Sequence, residues 1–411
     1  MSGTSTIVIV GAGLAGCEAA FALREYGHEG RIVLVGREPW PPYERPPLSK
    51  DYLKEGRPRE GLWLRPMASY GEQGIDLLSG VSVVEIDRHG HRVLLDDGSA
   101  VEYGQLLLAV GGQPRRLAMS GTNLDGVVQL MDLDEADKLR SRLASRPVLV
   151  VIGAGYVGME VAATARLSGC EVTVLECQPS IMSRSLSPAI SGFLESEFER
   201  RGVRVLKGVQ VAQIDGAGEV QSVTLKDGRR LPAGLVLVSV GNSALDQLAR
   251  DAGIHVEAGG ILIDGEGRTN DPDVFAAGDC AVSRYDGFDA PLRLESVQSA
   301  VIQARRAAAV MAHHPDRPAE VPWFWSNQFD IKLQMAGLPR PGDTELVRGD
   351  PAGGSFSVIY QNAARMTAIQ CVNAPGDYAA ARKMIAKGRA YCPQQLCDQA
   401  TPLKVLLKSA H

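Results

Sequence analysis

A chain of 411 residues is too long for one ordinary hydrophobic core, so two or three domains are expected. Apolar residues at 45% and charged residues at 22% have the balance of a soluble globular protein. A net charge of −5 argues against nucleic acid as a partner and leaves room only for local basic patches. No apolar run reaches the ~18 residues that cross a bilayer. The start, "MSGTSTIVIVGAG", lacks the basic and apolar regions of a signal peptide. The seven cysteines (17, 170, 177, 280, 371, 392 and 397) are odd in number and form no C-x-x-C. Neither a dithiol motif nor a zinc ribbon is expected, and no metal site. Free thiols in a reducing cytoplasm are the expected setting.

The chain opens on "TIVIVGAGLAGCEAAFALREYGHEGRIVLVGRE": an apolar strand, a glycine turn, an Ala-rich helix and a second strand ending in an acid. The same unit returns near residue 148 as "VLVVIGAGYVGMEVAATARLSGCEVTVLEC". Each reads as a βαβ unit that binds a dinucleotide. Gly11 and Gly153 allow the tight turn, Gly13 and Gly155 let the backbone approach a pyrophosphate, and Gly16 and Gly158 let helix pack on strand. The helix N-terminus offers free N–H groups to the phosphates. Glu38 and Glu176 stand where a carboxylate accepts hydrogen bonds from a ribose; Arg37 precedes the first, and either of those two side chains has the position to face the ribose. Two such units imply two dinucleotides, FAD in the first and a nicotinamide nucleotide in the second. Glu176, followed by Cys177 and Gln178, repels a 2′-phosphate and supplies no cation for one, which predicts NADH.

Between the two units comes "RPPLSK", residues 45–50, where paired prolines precede Ser49 and Lys50. "LLLAVGG" (106–112) and "LVLVSVG" (235–241) read as buried strands. "GRTNDPDVFAAGDCA" (267–281) runs into Gly278-Asp279 before a helical stretch, "ESVQSAVIQARRAAAVMA". Alone, Asp279 there is a helix N-cap; beside two dinucleotide units it is a flavin contact. After Pro322 the texture changes to Trp, Phe, Gln and short alternating strands such as "SFSVIYQ" and "RMTAIQCVN".

These residues resemble the FAD-dependent ferredoxin reductases that serve bacterial aromatic-ring dioxygenases and class I cytochromes P450. The likeness covers nearly the whole chain and is carried by "VIVGAGLAG", "YERPPLSKDYL", "VIGAGYVGMEVAA", "AAGDCA", "LESVQSA" and "PWFWSNQFDIKLQMAGL". It implies an α/β, glutathione-reductase-like fold: a discontinuous FAD domain (1–113 and 244–320), an inserted NAD domain (114–243) and a C-terminal α+β domain (321–411).

The resemblance also assigns roles. Lys50 lies near the flavin N5 edge and stabilises the reduced flavin, Glu160 lies near the nicotinamide within reach of Lys50, and Trp325 packs near the flavin. Read without the resemblance, Lys50 is a surface lysine and Trp325 a core or interface tryptophan. Further FAD contacts are implied at Leu14, Ala15, Arg45, Val83, Ala109, Gly111, Asp279 and Val297, and NAD(H) contacts at Tyr156, Val157, Arg184 and Gly241. Three places depart from the family pattern: Met131 where an arginine is usual, Asn327 where an aspartate is usual, and "GNSALD" from Gly241.

The implied reaction takes hydride from NADH to the flavin, and single electrons onward to a small [2Fe-2S] ferredoxin that feeds an oxygenase. An acidic ferredoxin calls for a locally basic docking face, for which Arg305, Arg306 and Lys332 are candidates; a solvated charged helix reads equally well. Gln334 replaces a basic residue of the family. Rubredoxin and monodehydroascorbate reductases share RP-x-LSK and differ in acceptor. The stretch 36–52 has no cysteine, which argues against peroxidase, NADH-oxidase and disulfide reductase chemistry. An interaction protein of the apoptosis-inducing-factor type, with a slowly turning flavin, is the alternative from another class.

Overall fold

The computed structural model describes residues 5–55, 57–315 and 320–409. In chain order the elements used below are β1 (Ile7–Val10), α1 (Leu14–Glu25), β2 (Ile32–Gly36), α2 (Asp51–Glu55), β3 (Ile75–Ser79), β4 (Gln105–Leu108), α3 (Leu133–Leu143), β5 (Val148–Ile152), α4 (Tyr156–Leu167), β6 (Glu171–Leu175), α5 (Pro188–Arg200), β7 (Val203–Leu206), β8 (Leu235–Val238), β9 (Val274–Ala276), α6 (Val297–Met311), β10 (Trp323–Gln328), β11 (Ile331–Gly337), β12 (Thr344–Asp350), β13 (Ser355–Asn362), β14 (Arg365–Val372) and α7 (Pro375–Lys387). The chain falls into two compact units: residues 1–44, 58–113 and 243–322, and residues 45–57, 114–242 and 323–411.

The first unit is built on a parallel sheet in the order β9-β4-β1-β2-β3. β1 is buried along its whole length, as a central parallel strand covered on both faces must be. Its side chains alternate. Ile7 and Ile9 meet α1 and α6, while Val8 and Val10 meet a second layer that includes Ile86, Val93 and Ile261. Alanines line the α1–α6 contact (Ala19, Ala22, Ala304, Ala308), and their small side chains let the two helices approach closely. β4 is shorter than the apolar run 106–112, because the backbone turns at Gly111 with φ 71°.

The second unit repeats the plan, with a parallel sheet in the order β7-β6-β5-β8 and the two-residue strand Val127–Val128 at its edge. β8 likewise ends short of Gly241, where φ is 93°. The unit also holds an antiparallel sheet in the order β10-β11-β14-β13-β12, as the alternating texture after Pro322 predicts. One hydrophobic cluster joins both sheets: Leu149 and Val151 of β5, Ile190 and Phe198 of α5, and Leu333, Phe356 and Val358 belong to it. Residues 45–57 cluster with the second compact unit. Pro46–Ser49 form a 3-10 turn, Leu53 of α2 enters the shared core beside Leu139 and Leu143, and the Tyr52 hydroxyl donates to Asp137 at 2.7 Å. Among the described residues, no helix is long and apolar enough to cross a membrane.

Candidate active site

Both glycine loops have the geometry that a dinucleotide needs. Gly11 and Gly153 sit at φ 110° and 104°, conformations an L side chain rarely adopts. A Cβ on either would fall 2.2 Å from a carbonyl oxygen, that of Ala109 or of Ser239. A Cβ on Gly16 would strike the Gly11 carbonyl at 1.9 Å, and one on Gly158 the Gly153 carbonyl at 2.4 Å. Gly13 and Gly155 are different: nothing lies within 4 Å of a Cβ built on either. That open space stands at the first turn of α1 and of α4, where unpaired N–H groups and the helix dipole favour a pyrophosphate. The residues present therefore fit a dinucleotide in each unit. Leu14 and Ala15 begin α1, and Tyr156 and Val157 begin α4, with Val157 39% exposed beside the open space.

The acid beyond each loop is held differently. Tyr43 donates its hydroxyl to Glu38 at 2.5 Å, and Arg37 is exposed. Glu176 accepts from the backbone N–H groups of Ala154 and Gln178, both at 2.8 Å, which ties it to its own glycine loop. Burial and the neighbouring Glu176 push the exposed Cys177 thiol up. In the first unit Gly278 lies against α1, since a Cβ on it would sit 3.0 Å from that of Ala15. Asp279 follows it, Val297 opens α6, and the Ser296 hydroxyl, not Asp279, caps that helix. Ala109 donates its N–H to Val10 at 2.8 Å and so stands beside the loop, and Val83 opens a neighbouring antiparallel strand. In the second unit a Cβ on Gly241 would lie 3.7 Å from the Arg184 guanidinium, so these two expected contacts face each other. Burial pushes the Tyr156 phenol up to about 12.

Within the second unit Lys50 and Glu160 meet. Lys50 Nζ is 2.5 Å from Glu160 Oε2, and their side chains are 18% and 6% exposed. Glu160 stands on α4 one turn beyond the glycine loop, and Lys50 is delivered by the 3-10 turn that Pro46 and Pro47 begin. The same carboxylate takes two further donors that the sequence did not single out. Ser49 Oγ donates to Oε2 at 2.5 Å and Ser326 Oγ to Oε1 at 2.6 Å. Thr164, one turn along α4, donates to the Ser49 carbonyl at 3.0 Å and fixes the turn to the helix.

β10 carries Ser326 on one face and Trp325 and Asn327 on the other. Trp325 pairs across the hairpin with Gln334, and Asn327 with Lys332, so four residues marked in the sequence share one sheet face. The Trp323 ring lies beside that of Trp325, tilted by 35° with centroids 5.4 Å apart, and the Arg382 guanidinium lies 5.3 Å from the Trp323 ring. Arg45 donates to the Met131 carbonyl, so the place where the family pattern has an arginine receives a guanidinium from the RPPLSK segment. Arg305 is engaged: it donates to both Glu25 oxygens at 2.8 Å and lies over the Tyr26 ring. Arg306 donates to the Gly265 carbonyl at 3.0 Å. Cys17, Cys280 and Cys371 are buried, and that burial pushes their thiols up to about 11, 11 and 12, away from nucleophilic use.

Residues 5–304 match the family model for pyridine nucleotide-disulphide oxidoreductases, and residues 323–407 match that for the reductase C-terminal domain. The chain belongs to the pyridine nucleotide-disulphide oxidoreductase family. It is 43% identical over 403 residues to rhodocoxin reductase of Rhodococcus erythropolis, covering 98% of this chain and 94% of that one. It is 37% identical to the ferredoxin–NAD(+) reductase component of the biphenyl dioxygenase system of Paraburkholderia xenovorans, covering 98% of both. Among solved structures, the reductase in the covalent putidaredoxin reductase–putidaredoxin complex superposes with a TM-score of 0.96 at 38% identity, covering 100% of this chain and 99% of that one. The glutathione-reductase-like α/β fold, the oxidoreductase activity and the two cofactors, FAD and NAD(H), are those of this family.

Proposed function

We propose that the chain is an NADH-dependent ferredoxin reductase, with FAD held by the first glycine unit and NADH by the second. It passes electrons to a small [2Fe-2S] ferredoxin of an oxygenase system in the cytoplasm. The carrying observation is the largely shielded Lys50–Glu160 pair one turn beyond the second glycine loop, in a chain similar along its length to ferredoxin reductases. FAD, when bound, takes two electrons with a hydride and releases them one at a time.

The chain's own residues prepare that exchange. The loop at Gly155 binds the NADH pyrophosphate through backbone N–H groups. Glu176 selects the unphosphorylated ribose, because its carboxylate repels a 2′-phosphate. Glu160 fixes the Lys50 ammonium, whose positive charge favours the electron-rich, reduced form of the cofactor. Trp325, on β10, is the aromatic side chain assigned to the cofactor in this reading. The division into FAD, NAD and C-terminal domains at 1–113 with 244–320, 114–243 and 321–411 belongs to this reading.

The test is NADH-driven cytochrome c reduction by the purified yellow protein, with and without a [2Fe-2S] ferredoxin, and with NADPH as control. Strong acceleration that needs ferredoxin and NADH supports the reading. Rapid NADH oxidation that ignores ferredoxin moves the acceptor to a quinone, an ascorbate radical or oxygen.

A further inference from the structure

The Lys50–Glu160 pair is built into a set of hydrogen bonds that reaches across three elements. Lys50 Nζ donates to Glu160 at 2.5 Å, to the Pro46 carbonyl at 3.2 Å and to Ser49 Oγ at 3.4 Å. An ammonium has three protons, so these three acceptors use all of them. Ser49 Oγ accepts from Lys50, and its single proton goes to Glu160 Oε2 at 2.5 Å in preference to the Pro46 carbonyl at 3.4 Å. On the other side, Gln328 Nε2 donates to Ser326 Oγ at 3.2 Å, which leaves the Ser326 proton for Glu160 Oε1. Each Glu160 oxygen thus has one hydroxyl within 2.6 Å, while the Gln328 carbonyl oxygen is buried without a partner. The groups around the lysine are shielded, with Ser326 0% exposed, Gln328 2%, Ser49 5% and Glu160 5%, while Lys50 itself is 18% exposed.

From this we infer that Ser326 and Ser49 are positioning residues for the reaction: their hydroxyls lock the plane of the Glu160 carboxylate, one on each oxygen, and so fix where Lys50 presents its charge. A carboxylate held by the ammonium alone is free to rotate about its last bond, and the ammonium moves with it. With a hydroxyl on each oxygen, rotation breaks two charge-assisted bonds at once. Gln328 extends the lock, because it orients the Ser326 hydroxyl. The lock also has a definite address in the fold. Ser326 lies on β10 directly beside Trp325 in sequence and on the opposite face of the strand. A shift of β10 that moves the Trp325 face moves the Ser326 hydroxyl, and the C-terminal sheet is thereby tied to the lysine.

The effect on hydride transfer rests on the reductase reading; the positioning itself does not. The experiment therefore reads Lys50 directly. The flavin-loaded full-length protein is acetylated competitively, and labelling at Lys50 is quantified by peptide mass spectrometry against the exposed Lys332. Ser326→Ala is expected to raise Lys50 labelling about tenfold, the worth of one hydrogen bond to a charged group. It should also slow flavin reduction at saturating NADH about tenfold while NADH affinity stays within about twofold. Ser326→Thr, which keeps the hydroxyl, restores both. Unchanged labelling in Ser326→Ala overturns the inference, as does a folded threonine variant that fails to restore it. Should Ser326→Ala not fold, Ser49→Ala is read the same way, and unchanged labelling there overturns it. Altered labelling in a protein that ferredoxin does not accelerate keeps the positioning role and discards the acceptor.

Discussion

The two dinucleotide units share a backbone and differ in how they use one carboxylate. Glu18 and Glu160 each stand seven residues after the first glycine of their loop, on the same turn of α1 and of α4. Glu18 meets two guanidinia, Arg65 at 3.1 Å and Arg305 at 4.0 Å. Glu160 meets one ammonium and two hydroxyls, all within 2.6 Å. A guanidinium is permanently charged and offers a rigid fork of donors, which suits a brace. Arg305 belongs to α6, so Glu18 ties α1 to α6. An ammonium is a compact charge whose strength depends on its surroundings, which suits chemistry. The repeat thus supplies one position twice, and the cation brought to it decides whether it braces the fold or acts on the reaction.

The largest break in this comparison comes from Glu160→Ala. Removing one partner of a fully buried pair costs about 3–5 kcal/mol, and this partly shielded pair stands below that limit, because water reaches the charge that is left uncompensated. Stopped-flow reduction of the flavin by NADH is expected to slow on the order of a hundredfold, and a loss of only about twofold would reduce the pair to scaffolding. Next come the glycines of the second loop. Gly153→Ala places a methyl 2.2 Å from the Ser239 carbonyl and is expected to fail in folding. Gly155 has open space and an ordinary φ of −81°, so Gly155→Ala folds normally. Its methyl occupies the space meant for a pyrophosphate, and NADH affinity should fall about tenfold or more while FAD content is unchanged. Equal folding of both variants would sink this reading of the loop. A smaller effect is expected at Glu176. Glu176→Gln keeps the shape and removes the repulsion, so the preference for NADH over NADPH should narrow about tenfold in steady-state kcat/KM.

What the sequence made legible follows from how local each signal is. The two βαβ units, the buried strands β4 and β8 and the strands after Pro322 are written in short-range periodicity, and the structure has them. Lys50 and Glu160 were legible only through resemblance, since 110 residues separate them. Ser326 is 166 residues from the carboxylate it serves, and no local pattern marks it. A usable signal did exist: on a strand, the neighbour of Trp325 must face the other way, toward α4. Arg305 shows the opposite limit. It reads as an exposed cation on a helix, but Glu25, 280 residues away in sequence, occupies it.

The smallest effect is expected at Glu18, and it is the most direct check of the comparison. Arg65 is 40% exposed and the Arg305 contact is at the 4.0 Å limit, so solvent screens both attractions. Pairs of that kind contribute about 0.5–1 kcal/mol. Glu18→Gln keeps a hydrogen-bond acceptor for Arg65 and removes only the charge. The thermal midpoint should fall by only about 1 °C for a protein of this size, with a smaller loss in high salt. Reduction of the flavin by NADH should match the unmodified protein, because Glu18 braces helices and touches neither Lys50 nor its hydroxyls. If Glu18→Gln slowed that step as strongly as Glu160→Ala, the cation would not distinguish the two positions. The carboxylate would then serve both units in one way, and its use in the second would need an origin other than Lys50.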